Sequence, residues 1–263
     1  MSVLIHPTAI IDPKAQIGID VSVGAYSIIH GDVILHDRVK IHSHVVIEGG
    51  TEVGEDTEIF PFAVLGQAPQ HMKYEGEPST LHIGARVVIR EHVTMHRGTA
   101  VGIMKTVVGD DGLFMVGSHI AHDCIVGNHA IMANGVALGG HVEVGDFVTM
   151  GGFCAVHQFV RIGEYAMIGG KATVVGDVIP YAVVSGERAF LSGLNLVGLK
   201  RRGYSKDMLL QLRETYKELF EGPGTFENRL AALSQKDDAE SSRKLFDFIK
   251  DGNGRPLCHP EKK

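Results

Sequence analysis

The stretch that decides the fold is IHPTAIIDPKAQIGIDVSVGAYSIIHGDVILHDRVKIHSHVVI, Ile5 to Ile47. Counted in sixes, it sets an aliphatic side chain at Ile5, Ile11, Ile17, Val23, Ile29, Leu35, Ile41 and Ile47. The register runs on through Val53, Ile59 and Leu65 and returns at Ile83, Ile89 and Met95. It then slips by one residue and continues from Val108 through Ile120, Leu138 and Val156 to Val174. Four residues after an anchor stands a small or β-branched residue, as at Ala9, Val21, Ser27, Ala63, Ser118 and Ala166. Cys124 and Cys154 occupy the same slot, which predicts buried, unreactive thiols.

A period of six fits neither a helix nor a simple alternating strand. It fits short strands joined by tight corners, with three hexads closing one coil. Coils then stack through parallel ladders at roughly 4.8 Å. The interior becomes columns of Ile, Leu and Val. The composition agrees: 44% hydrophobic residues, no tryptophan, only 6% aromatics, and 33 glycines for the turns. This pattern resembles the left-handed parallel β-helix of hexapeptide-repeat proteins. The left hand belongs to the resemblance, since parallel crossovers are ordinarily right-handed.

The formal charge of -6 gives no bulk attraction to nucleic acid. Three cysteines make no disulfide framework. No apolar run reaches the roughly 18 residues that span a membrane, and the start MSVLIHPTAI has no signal-peptide pattern. The expectation is a cytoplasmic protein.

Two segments interrupt the sixes, 67–82 and 98–107, and read as loops projecting from the wall. After about residue 186 the period vanishes. The expected organisation is a β-helix over 1–186 and a helical C-terminal domain over 187–263. Helices are predicted from Leu194 to Arg202, after a Ser205 N-cap up to the GPG at 222–224, from Thr225 to Leu233, and from Ser241 to Lys250. From Asp251 the tail is expected to fray, leaving Cys258 in it.

Fifteen histidines are too many to be catalytic together. His30, His36 and His42 fall six apart and decorate one set of corners. A second group is more informative. Stacked coils put His122, Gly140 and Gln158 in one column and begin the next with Asp123 and His141, with His119 and His157 nearby. An imidazole backed by a carboxylate can accept a proton from a hydroxyl near neutral pH. A glycine on the coil above can offer an unobstructed N–H to an oxyanion. The pairing of adjacent residues requires a corner, because neighbours on a strand face opposite ways. The alternative is a zinc site, since H-x-x-H can chelate and γ-class carbonic anhydrases bind zinc on such a scaffold. No metal-ligand spacing repeats, so general-base chemistry is favoured.

Several motifs together resemble the acyl-carrier-protein:UDP-N-acetylglucosamine O-acyltransferase family of lipid A biosynthesis. They are IREHVTMHRGT at 89–99, HIAHDCIVGN at 119–128, GGHV at 139–142, AVHQF at 155–159 and GLKRRG at 198–203, with KYEGEP at 73–78 in the first loop. The resemblance implies transfer of an (R)-3-hydroxyacyl chain from acyl carrier protein to the 3-hydroxyl of UDP-N-acetylglucosamine, without a cofactor or resident metal. It also implies a homotrimer with active sites between subunits.

By the same resemblance, His122 is the general base, Asp123 its support and Gly140 the oxyanion donor. Gln70, Lys73, His96, His119, His141, His157, Gln158, Asn195, Arg201 and Arg202 match substrate-contacting positions. Met167 and Gly170 match the acyl-chain pocket, where a glycine leaves room for a longer chain. Two departures stand out: His71 replaces an acidic residue in the loop, and Val197 stands where relatives often carry glutamate. Lys171, Arg161 and Lys105 are candidates for docking the acidic carrier.

Overall fold

The computed structural model describes residues 4–236, 239–252 and 254–261. The hexads become two-residue strands separated by turns, gathered into parallel sheets of eleven, nine and eight strands. The sheets form the walls of a three-sided, left-handed parallel β-helix. The first carries Leu4–Ile5, the second Ile10–Ile11 and the third Gln16–Ile17, and this order recurs on each coil.

Most corners turn because the second turn residue enters the left-handed region. Asp20, Arg38, Asp56, Asp123, His141, Phe147 and Tyr165 have φ of 56–61°. For side chains other than glycine this costs of order 1–3 kcal/mol each and persists only where the surroundings fix it. They do: the N–H of such a residue donates to a carbonyl in the coil below, as His141 to His122 O at 2.9 Å and Phe147 to Asn128 O at 2.8 Å.

The anchors stack in register. Ile120 pairs with Leu138 and Leu138 with Val156 on the second wall. The anchors from Val23 onward and the small residues between them are buried, Cys124 and Cys154 included. Burial drives the Cys124 thiol up to about 12, which keeps it protonated. His36 and His42 face outward against Glu52 and Glu58 at 2.7 and 2.9 Å, a decorated edge as the sequence suggests.

The two interruptions leave the wall at the same corner, between the second and third sheets. The strands beside them are Val64–Gln67 and Thr80–Ile83 for one, and Thr94–His96 and Lys105–Val108 for the other. The first sheet ends in an antiparallel hairpin, Ala182–Ser185 with Phe190–Leu194. Helices follow at Leu196–Arg201 (α1), Lys206–Glu221 (α2), Phe226–Lys236 (α3) and Glu240–Lys250 (α4). Ser205 caps α2 by accepting the Met208 N–H at 3.2 Å.

Two expectations are corrected. The segment from Asp251 does not fray over its described residues: Leu257 bridges Asp177, Pro260 bridges Leu191, and Cys258 is buried. Arg161 is no docking residue. It is buried, bonds Asp177 Oδ2 at 2.8 Å and the Phe248 carbonyl at 3.0 Å, and so fastens α4 to the coils.

Candidate active site

His122 and Asp123 form the turn between the second and third walls. On a turn, unlike a strand, neighbouring side chains can converge, and His122 Nδ1 lies 2.8 Å from Asp123 Oδ2. Asp123 is encircled by donors. Its Oδ1 accepts the Thr99 N–H at 3.1 Å and the Ile103 N–H at 2.9 Å, and its Oδ2 accepts the Thr99 hydroxyl at 2.6 Å. Burial pushes the carboxyl up, but the Thr99 hydroxyl, His122 and the backbone N–H groups outweigh it and hold Asp123 below the usual range. An ionised, acceptor-only Asp123 requires the proton of neutral His122 on Nδ1, which leaves Nε2 with a bare lone pair.

Gly140 sits on the next coil, directly over this ring. A Cβ on Gly140 would fall 2.5 Å from His122 Cε1 and 2.8 Å from Nε2. At the corner between the third and first walls, the first turn residue's N–H is capped by an Asp or Asn one coil up. Ile19 donates to Asp37 Oδ1 at 2.7 Å and Asn128 to Asp146 Oδ1 at 2.7 Å. Above Gly140 that position is Gln158, and the Gly140 N–H has no acceptor among the described residues. A free peptide N–H therefore lies beside a free imidazole nitrogen.

Other histidines close the site. His141 meets the His122 ring edge-on at 5.1 Å and stacks on Phe159 at 4.3 Å. His71, from the first loop, meets the same ring at 5.0 Å. His119 bonds Thr94 Oγ1 through Nδ1 at 2.7 Å and contacts His96 edge-on at 5.0 Å. Burial, then the neighbouring His119 and His122, drives His96 down to about 4; burial also lowers His119. His96 Nδ1 is buried with no partner. One coil above Gly140, His157 Nδ1 lies 3.1 Å from Arg255 Nη2.

Thus Gln70, Lys73, His96, His119, His122, Asp123, Gly140, His141, His157 and Gln158 share one edge of the prism. Gln70 and Lys73 are exposed on its loop. Asn195, Arg201 and Arg202 do not join them. Arg202 packs 4.3 Å over the ring of Phe147, at the corner between the third and first walls. Asn195 caps α1 through the Gly198 N–H at 3.1 Å and donates to Tyr165 O at 2.9 Å. Met167 lies on the first wall, and Gly170 at the corner between the first and second. Sequence reasoning missed the parts played by His71, Thr99, Ile103 and Arg255. The only signals were the departure at His71 and the threonine closing the HRGT motif.

His122, Asp123 and His141 bring three potential metal-ligating atoms within 4.8 Å of one another. The donor chemistry suits a proton better. Both Asp123 oxygens already accept hydrogen bonds, and the His122 nitrogen facing the carboxylate carries the shared hydrogen.

A hexapeptide β-helix with an aspartate-backed imidazole under a bare peptide N–H defines an acyltransferase of the hexapeptide-repeat class. Residues 14–49 match the bacterial transferase hexapeptide model, and residues 177–258 match the model of UDP N-acetylglucosamine O-acyltransferase, domain 2. The chain is 51% identical to the acyl-[acyl-carrier-protein]–UDP-N-acetylglucosamine O-acyltransferase of Caulobacter vibrioides, over 98% of both chains. It is 50% identical to that of Azorhizobium caulinodans, over 98% of this chain and 96% of the relative. The solved LpxA of Acinetobacter baumannii superposes with a TM-score of 0.93 at 42% identity, covering 97% of this chain and 99% of the other. The chain belongs to the UDP-N-acetylglucosamine O-acyltransferase family.

Proposed function

We propose that the protein moves an (R)-3-hydroxyacyl group from the thioester of acyl carrier protein to the 3-hydroxyl of UDP-N-acetylglucosamine. The sugar hydroxyl attacks the thioester carbonyl while His122 Nε2 takes its proton. Asp123 stabilises the resulting imidazolium. The Gly140 N–H donates a hydrogen bond to the carbonyl oxygen as negative charge develops on it. Collapse of the tetrahedral intermediate breaks the C–S bond, and the imidazolium returns its proton to the leaving thiolate. No cofactor takes part. The observation that carries this reading is the aspartate-backed His122 ring lying against Gly140, where any side chain would collide with it and where the backbone N–H has no acceptor among the described residues.

The separation of Arg201 and Arg202 from His122 within one chain supports a homotrimer. In it, one copy's arginines complete a neighbour's site and clamp the diphosphate. Lys171 and Lys105 are exposed and available to an acidic carrier protein. No described helix is long and apolar enough to cross a membrane, and both substrates are water-soluble, which supports action in the cytoplasm as the first step of lipid A biosynthesis. The test offers purified protein UDP-N-acetylglucosamine and a ladder of hydroxyacyl carriers, and follows acyl-sugar formation. Absence of product from every donor would overturn the reading.

A further inference from the structure

The Asp123 carboxylate is held almost entirely from outside the coils. Its side chain is fully buried, and three of its four donors come from the excursion between His96 and Lys105: the Thr99 hydroxyl, the Thr99 N–H and the Ile103 N–H. Gly102 packs so closely against the carboxylate that a Cβ there would collide with it. This excursion is folded on Thr99, whose carbonyl accepts the Gly102 and Met104 N–H groups at 3.1 and 3.2 Å.

The excursion meets the other loop through Arg97 over the Tyr74 ring, through backbone bonds to Gln67 and Thr80, and, beside Thr99 itself, through one carboxylate. Glu77 Oε1 accepts the Ala100 N–H at 2.7 Å, next to Thr99, while its Oε2 accepts the Glu75 N–H at 2.9 Å. The Ala100 N–H is the main cause holding the Glu77 carboxyl below its ordinary range. Glu77 touches neither His122 nor Asp123, but the loop it anchors carries His71 onto the His122 ring.

We propose that Glu77 and Thr99 are positioning residues: Glu77 fastens the two loops together, and Thr99 transmits that geometry to Asp123, fixing the tautomer of His122. This rests on the acyltransferase reading for its kinetic consequence, not for its geometry. With Asp123 held, His122 keeps its proton on Nδ1 and Nε2 stays free to accept. With the carboxylate released, the imidazole also populates the Nε2–H form, which cannot act as a base.

The test uses full-length protein labelled with ¹⁵N-histidine. Long-range ¹H–¹⁵N spectra report the His122 tautomer, with its signals assigned by a His122→Gln variant. Wild type is expected to show protonated Nδ1 and bare Nε2. Thr99→Val and Glu77→Ala should both mix the tautomers and lower kcat about tenfold or more. Thr99→Val should leave KM for the nucleotide sugar within about twofold, and Thr99→Ser should restore the wild-type spectrum and rate. Combining Thr99→Val with Glu77→Ala should cost little beyond the worse single change, because both act through one chain of contacts. A wild-type tautomer in both variants, or a Thr99→Ser protein as impaired as Thr99→Val, would overturn the proposal. If wild type turns over none of the donors, the acyltransferase reading fails, and the spectra still decide the role of Glu77 and Thr99.

Discussion

Ile120 lies directly beneath Leu138, paired in register on the second wall. Two residues further along the chain, in the turns, the same offset sets Gly140 against the His122 ring. The reactive geometry is therefore a consequence of the stacking of aliphatic anchors, and its first tests follow from that column.

Replacing His122 with Ala removes the proton acceptor but leaves the anchors intact. The variant should fold with an unchanged circular dichroism spectrum and lose about a hundredfold or more in kcat. Near-normal turnover would show that another group takes the proton.

Gly140→Ala acts differently, because the new methyl group lands on the imidazole at 2.5 Å. The ring must swing away from the amide, so kcat should fall by about tenfold or more while His122 remains present. Steady-state kinetics of this variant beside His122→Ala checks the claim: a Gly140→Ala enzyme with wild-type kcat would mean the amide is not the oxyanion donor.

Acid should weaken the fold through His96. Its folded-state value lies near 4, against an ordinary 6.5, so between those values the unfolded chain takes a proton that the folded chain refuses. The stability that neutral His96 provides is complete above about 6.5, declines as pH falls towards 4, and falls no further below that. Thermal unfolding at pH 7 and pH 5 should show a larger drop in Tm for wild type than for His96→Gln. Equal drops would assign the acid sensitivity elsewhere.

The pair of Arg161 and Asp177 joins the coils to α4, with the guanidinium also over the Phe248 ring at 4.4 Å. Arg161→Ala leaves a buried carboxylate unpaired and should reduce the unfolding free energy by about 3–5 kcal/mol in denaturant titrations. A change under about 1 kcal/mol would mean that water replaces the arginine without cost.

Gly170 faces open space within its own chain, apart from the Gly152 carbonyl at 3.3 Å from a hypothetical Cβ. A longer side chain there should be tolerated by the fold. Under the acyl-pocket reading, Gly170→Met should shift preference among hydroxyacyl carriers towards shorter chains. An unchanged profile would place the end of the acyl pocket elsewhere.

The fold was legible because one physical rule repeats. An aliphatic residue every six positions can be buried only if the chain coils and the anchors stack, so Ile5 to Ile47 already implied the coils and columns, and the run from Val108 to Val174 the stacking of Gly140 over His122. The helix after Ser205 was equally readable, since its N-cap and apolar spacing are local. Less local features were not. The loop residues Thr99, Ile103 and His71 reach the catalytic corner through irregular backbone whose path no period describes. Likewise, Arg161 looks like a surface cation until α4 covers it, and Cys258 looks like part of a loose tail until Asp177 pairs with its strand.

By itself, the sequence determined the coil, its core, the column of His122 and Gly140 and the neighbouring one of Asp123 and His141, because periodic burial leaves one solution for where anchors stack. The tertiary structure alone decided which contacts hold Asp123, which predicted residues share an edge, and that Arg202 stands at a different corner from His122. Those relations depend on loops and on a helical segment returning to the walls. Their positions come from hydrogen bonds and packing between residues far apart in the chain, which spacing does not encode.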